Sequence, residues 1–248
     1  MPLQGRSLTY IKIGAIMNNS ALACLGNIFV EPKKALQDIR PHTPWLWYPI
    51  IITIVVVVAW NVWYFSTVDM GWLANQMIAA MGDKYSGDQL EQIRKNFTSS
   101  RFLIFGIVGG SLGIVVLSLL QALYFFLVSK IGGYEEQSYG RWFNFTAWTA
   151  FPNVLAYIAT AIAYLFASPQ TSFYAADVTS LNTLLFRLPM GNPLMGVAAS
   201  VHLTTFWVLT LMTLGFSEWT KKSLGKSAVI VLAPWLIIYA IVIAVKLA

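Results

Sequence analysis

Residues 102–128 read FLIFGIVGGSLGIVVLSLLQALYFFLV, 27 positions without an Asp, Glu, Lys or Arg. A helix rises about 1.5 Å per residue, so this run is long enough to cross a hydrocarbon core of ~30 Å. Four further stretches share its character: 45–65, 142–167, 194–216 and 228–245. None holds a charged residue, and each has at least 18 positions. Backbone polar groups in lipid must be satisfied within the segment, which makes such runs helices. The expected fold is an all-α integral membrane protein with five transmembrane helices, an N-terminal interfacial amphipathic helix and a helical first outside loop.

Composition fits that class. The chain is 57% hydrophobic and 10% charged, against roughly 25% charged in ordinary soluble domains. With a bundle at 45–248 and an N-terminal cytoplasmic and interfacial segment at 1–44, the 248 residues leave no room for a separate soluble domain. The net charge of +6 does not call for nucleic acid, because Lys and Arg concentrate in the cytoplasmic loops of membrane proteins. Cys24 is the single cysteine, so no intramolecular disulfide and no cysteine-only zinc site can form. No metal or cofactor is expected. Arg6, Lys12 and 13–17 imitate the start of a signal peptide, but Asn18, Asn19 and Ser20 break the apolar run. Met17 is an alternative initiator.

Five spans put the termini on opposite sides. With the N-terminus inside, segments 1–44, 129–141 and 217–227 carry ten Lys or Arg, against six outside. The positive-inside rule therefore favours a cytoplasmic N-terminus and an external C-terminus.

The N-terminal segment is too polar for a sixth span. Ala21, Leu22, Leu25 and Phe29 form an apolar stripe with Ser20 as N-cap, as in a helix lying in the interface. Pro32 suits the first turn of a second short helix lined by Ala35, Leu36 and Ile39. In the loop at 66–101, Trp72, Leu73, Met77 and Ala80 mark one amphipathic helix. Asp88 starts another with Leu90, Ile93 and Phe97 on one side. In the second outside loop, residues 181–188 read as a short helix between prolines.

Four features bear on function. Gly106/Gly110 and Gly109/Gly113 are overlapping small-xxx-small pairs, which let helices pack closely inside the bundle or across a homo-oligomer seam. In the third span Thr146, Thr149, Asn153, Ala156 and Thr160 share one helix face, with Pro152 beside them. That face suits interhelical hydrogen bonding, or a path for a lipid headgroup or solute. Lys221, Lys222 and Lys226 form a basic turn that sets topology or contacts anionic headgroups. Glu31, Pro32, Lys33 and Lys34 form a second surface for headgroups or a protein partner.

His202 is the one side chain in the five stretches that ordinarily titrates near neutral pH. It reads as a lone histidine hydrogen-bonded near the interface, with a proton switch as the sharper alternative. Glu135 and Glu136 could act as acid and base, but adjacent side chains point apart. No Gly-x-Ser-x-Gly, His-Glu-x-x-His or phosphate-binding Gly-rich motif occurs.

The order of parts is familiar. Residues 31–36 (EPKKAL) precede Trp45-Leu46-Trp47-Tyr48-Pro49. After the helical loop come Lys130-Ile131-Gly132-Gly133, Ala150-Phe151-Pro152, Asn192-Pro193-Leu194, Gly215-Phe216 and Thr220-Lys221-Lys222-Ser223. Over about 28–246 the chain resembles the bacterial branch of the Yip family, relatives of the eukaryotic Ypt/Rab-interacting membrane proteins. The resemblance implies a five-span fold in a bacterial inner membrane. Eukaryotic members bind Rab GTPases and carry Asp-Leu-x-Gly-Pro before the bundle; here residues 28–32 are IFVEP, and only the proline matches.

The first functional reading is a non-enzymatic protein that organises or recruits within the membrane, with lipids and an unidentified protein as partners. The second is a transporter or scramblase of lipid-like molecules working through the third-span face. The third, an intramembrane enzyme, needs Glu135, Glu136, Glu31 or His202 to converge.

Overall fold

A computed structural model describes residues 20–81, 85–134 and 137–248. Arg6, Lys12, Asn18, Asn19, Lys84, Glu135, Glu136 and both initiator methionines, Met1 and Met17, lie outside the described residues. The described residues are helical with no strand, apart from an isolated antiparallel bridge between Ser180 and His202.

Helix α1 (Ala21–Val30) is capped by Ser20, whose hydroxyl accepts from the Ala23 N–H. Helix α2 (Pro32–Asp38) opens on Pro32, where a missing N–H is harmless. A 3₁₀ turn at Thr43–Leu46 leads into α3 (Trp47–Thr67). Helices α4 (Met70–Met81) and α5 (Gly87–Asn96) form the first loop. Asp69 and Ser86 cap them, and Ser86 and Gln89 make a reciprocal capping box. Helix α6 (Ser99–Ile131) has 33 residues, about 50 Å of helix.

The third span is interrupted where the sequence places Pro152. Helix α7 (Tyr139–Ala150) gives way to a 3₁₀ turn at Phe151–Asn153, then to α8 (Val154–Leu165). Proline cannot donate to the Trp148 carbonyl four residues back, and the Phe151 N–H takes that acceptor instead.

The stretch 194–216 is not one continuous helix. It divides into α10 (Met195–Ser200) and α11 (Leu203–Thr220) around the extended residues Val201 and His202. The cause is the loop at 168–193, which includes α9 (Phe173–Ala176) and a π-turn at Asn182–Phe186. The Leu181 N–H donates to the Val201 carbonyl at 2.8 Å, and the Leu203 N–H to the Thr179 carbonyl at 3.0 Å. Those bonds withdraw backbone groups that a continuous helix would need. The chain ends in α12 (Leu224–Leu247).

Among the described residues, four helical segments are long and apolar enough to cross a membrane: Thr43–Thr67, Ser99–Ile131, Tyr139–Leu165 and Leu224–Leu247. The 18-residue α11 is not among them, since five threonines and Glu218 dilute its apolar content. It sits at the centre, against α2, α7, α8 and α12. Thr210, Thr213 and Thr220 return their hydroxyls to carbonyls four residues back, which keeps the helix surface apolar.

The largest core cluster joins α1 and α2 to the bundle. Cys24, Ile28, Leu36 and Ile39 are fully buried with Trp142, Phe145, Phe216 and Trp219. The buried side of α1 is thus Ala21, Cys24 and Ile28; Leu22 points outward, while Leu25 and Phe29 pack at the edge of the core. Gly215 allows this closeness, because a Cβ there would overlap the Phe145 ring. Trp219 donates from its indole N–H to the Leu36 carbonyl at 2.9 Å. Toward the opposite end, Trp60, Tyr64, Phe65, Leu73 and Tyr164 form a second cluster. By contrast α6 and α12 are scarcely buried along most of their length.

Candidate functional site

Three features remain after packing is accounted for: a cleft, a chamber beside it, and a charged end face.

The cleft lies between α6 and α12 beside the loop at 168–193, with a volume of about 1160 Å³. Leu117, Gln121 and Tyr124 line one side; Trp235, Tyr239 and Val242 line the other. A proline stands in its wall. Pro234 lies inside α12 and leaves the Ile230 carbonyl without its helical donor. The Tyr124 hydroxyl supplies the bond across the interface at 2.7 Å. Ser200 and Tyr239 share a further hydrogen bond at 3.2 Å where α10 meets α12.

The chamber holds about 330 Å³ and adjoins the cleft, since Tyr174, Ser200 and Trp235 line both. Its polar centre is Asp177, which is buried. One carboxylate oxygen accepts from the Thr179 N–H at 3.1 Å and from the hydroxyls of Thr179 (2.8 Å) and Thr160 (3.4 Å). The other pairs with His202 Nε2 at 2.8 Å. Burial alone pushes the Asp177 carboxyl up, but hydrogen bonds from His202 and Thr179 outweigh it and hold the pKa below the usual carboxylate value. Trp60, Tyr157, Phe173, Tyr174 and Trp235 bring aromatic rings to the wall. Trp60 is almost wholly buried, and its indole N–H has no hydrogen-bond partner. A buried donor in that state costs about 1–3 kcal/mol.

The third-span face divides between packing and chamber. Thr146 and Thr149 are fully buried. Thr146 donates to the Ser118 carbonyl at 2.9 Å, and Thr149 to the Phe145 carbonyl at 2.9 Å. Pro152 is buried in the 3₁₀ turn. Asn153, Ala156 and Thr160 line the chamber, and Asn153 accepts from the Thr204 hydroxyl at 2.9 Å.

The glycines of α6 also divide. A Cβ on Gly106 would overlap the Asn61 side chain, and one on Gly110 would lie 3.0 Å from Val57, both on α3. Gly109 and Gly113 face open space.

At the end opposite the chamber, the two charged surfaces meet. Gln37 on α2 donates to Glu218 on α11 at 3.1 Å, and Lys221 pairs with the same carboxylate at 3.1 Å. Lys34 pairs with Glu31 at 3.2 Å, and Pro32 and Lys33 share that short helix. Lys222 and Lys226 approach the Tyr134 ring at 4.7 and 5.6 Å from its centroid. Glu31 and His202 are separated by the length of α11, about 27 Å. They share no site, while Glu135 and Glu136 lie outside the described residues.

Sequence reasoning passed over Asp177 and the aromatic wall. One signal was present: Asp177 is the only acidic residue between Glu136 and Glu218. Its meeting with His202 depends on a loop folding back over a helix break, which no periodicity announces.

The sequence model of the Yip1 domain family matches residues 26–245. Among curated proteins and among solved structures, none matches the chain.

Proposed function

The chain belongs to the Yip1 domain family, and from that premise we propose a non-enzymatic, multi-pass protein of a bacterial inner membrane that organises its surroundings by holding membrane lipid. The observation that carries this reading is the cleft of about 1160 Å³ between two helices that bury little of their surface. An apolar cleft at membrane depth takes acyl chains, because neither water nor an empty void is stable there.

In this reading α11 is the fifth crossing. Its first turn meets Asp177 beside the second outside loop, and its last turn meets α2 and the basic turn. The end bearing Lys33, Lys34, Lys221, Lys222 and Lys226 faces the cytoplasm, where anionic headgroups attract such residues at about 1 kcal/mol each. It is also the surface for a protein partner. A second copy would pack on the open face at Gly109 and Gly113.

Flux through a scramblase-like path is the weaker reading. Thr146 and Thr149 are committed to backbone carbonyls, so the third-span polar face is open only at its outer half.

The test is the lipid content of purified protein, measured by mass spectrometry after extensive detergent washing. Gly196 lines the cleft, and a Cβ there meets nothing within 4 Å. Gly196→Phe fills the space without disturbing the core. Retained lipid in the wild type that falls at least severalfold in Gly196→Phe is the expected result. Equal lipid in both would sink the proposal. Scrambling by liposomes bearing wild type, abolished in a folded Asn153→Leu variant, would instead favour transport.

A further inference from the structure

We infer that the chamber beside the cleft binds an organic ammonium group, supplied by the headgroup of an aminophospholipid whose chains lie in the cleft. This rests on the cleft reading and adds the headgroup class.

The chemistry comes from the lining. No Lys or Arg lines the chamber, and its one carboxylate, Asp177, is buried within it. The rings of Trp60, Tyr157, Phe173, Tyr174 and Trp235 line the same chamber. A cation is attracted both by the carboxylate and by the negative faces of such rings, most strongly where water is excluded. An anion would meet repulsion from Asp177 with no basic side chain but His202 to offset it, and His202 is already bonded to Asp177. The volume of about 330 Å³ equals on the order of ten waters at ~30 Å³ each, room for a small polar headgroup. The residues shared by chamber and cleft, Tyr174, Ser200 and Trp235, form the passage from headgroup to chains.

The experiment is a tryptophan-fluorescence titration of delipidated, detergent-solubilised full-length protein. Three probes are used: short-chain phosphatidylethanolamine, phosphatidylglycerol of the same chain length, and free ethanolamine. Saturable binding of phosphatidylethanolamine, at least about tenfold tighter than phosphatidylglycerol, is expected. Asp177→Asn, with its melting temperature checked, removes the preference. Asp177 also ties down its loop, so Trp235→Leu provides a second readout and weakens phosphatidylethanolamine at least about threefold while leaving that tie intact. Equal affinity for the two lipids, lost in Gly196→Phe, overturns the ammonium site and leaves the cleft reading standing. Binding of ethanolamine with neither lipid supports the ammonium chemistry and removes the cleft reading. No binding by any probe, or an undiminished preference in folded Asp177→Asn, overturns the inference.

Discussion

Tyr124 and Pro234 are 110 positions apart, yet one repairs what the other leaves undone. The proline costs α12 a backbone hydrogen bond at Ile230, and the tyrosine hydroxyl restores it from α6. Tyr124→Phe should therefore destabilise the detergent-solubilised protein by about 1 kcal/mol. In a Pro234→Ala background the same change should cost almost nothing, because residue 234 then donates to Ile230 itself. A double-mutant cycle in thermal or chemical unfolding reads the difference, and equal costs in both backgrounds would refute it. The glycines of α6 make a second comparison. Gly106→Val forces apart α3 and α6 at Asn61 and should cost about 1–3 kcal/mol. Gly109→Ala meets open space and should be neutral or stabilising by up to about 1 kcal/mol, since alanine is the better helix former. Sequence showed four equivalent-looking glycines; only their azimuth against α3 separates them.

At the scale of elements, the break between α10 and α11 is where loop and bundle are joined. Asp177 holds the loop at 168–193 to His202, and the backbone bridge at Ser180 and His202 continues the seam. Because the folded pKa of Asp177 lies below its unfolded value, the pair stabilises the fold at pH above about 4. That contribution is lost as pH falls through the folded pKa. Protection of amides in residues 177–203, taken relative to the intrinsic exchange rate at each pH, should fall on acidification below pH ~4 in the wild type. In Asp177→Asn protection should already be lower at neutral pH and should change less on acidification. Wild-type protection that stays constant through this range would show that the carboxylate does not fasten the loop. The helix-period face of the third span was legible from spacing alone, and Pro152 stands in the 3₁₀ turn that interrupts it. Which threonines pack and which line the chamber was not, because that depends on Ser118 of α6 and Asp177 of the loop.

On the scale of the whole molecule, α1 is docked so firmly that Cys24 has no accessible surface. Burial, with a contribution from the nearby Asp38 charge, pushes its thiol up to about 11. In intact membranes at neutral pH a maleimide should leave Cys24 unlabelled, and denaturation in SDS should expose it fully. Labelling of the native protein at the denatured rate would show that α1 is not packed into this core. A silent native cysteine also makes topology measurable. In spheroplasts, Gln170→Cys should react with a membrane-impermeant maleimide, and Lys222→Cys only after permeabilisation; the reverse pattern would invert the orientation. The sequence by itself determined the membrane class and the helical content, because the bilayer imposes length and apolarity on each segment separately. It also carried the family, through the order of spans and scattered Gly and Pro positions. Only the tertiary structure decided the break at His202, the pairing of that histidine with Asp177, and the cleft between α6 and α12. Each of these depends on contacts between residues far apart in the chain. A cavity is the space that neighbouring helices leave unfilled, and no single helix encodes that space in its own periodicity.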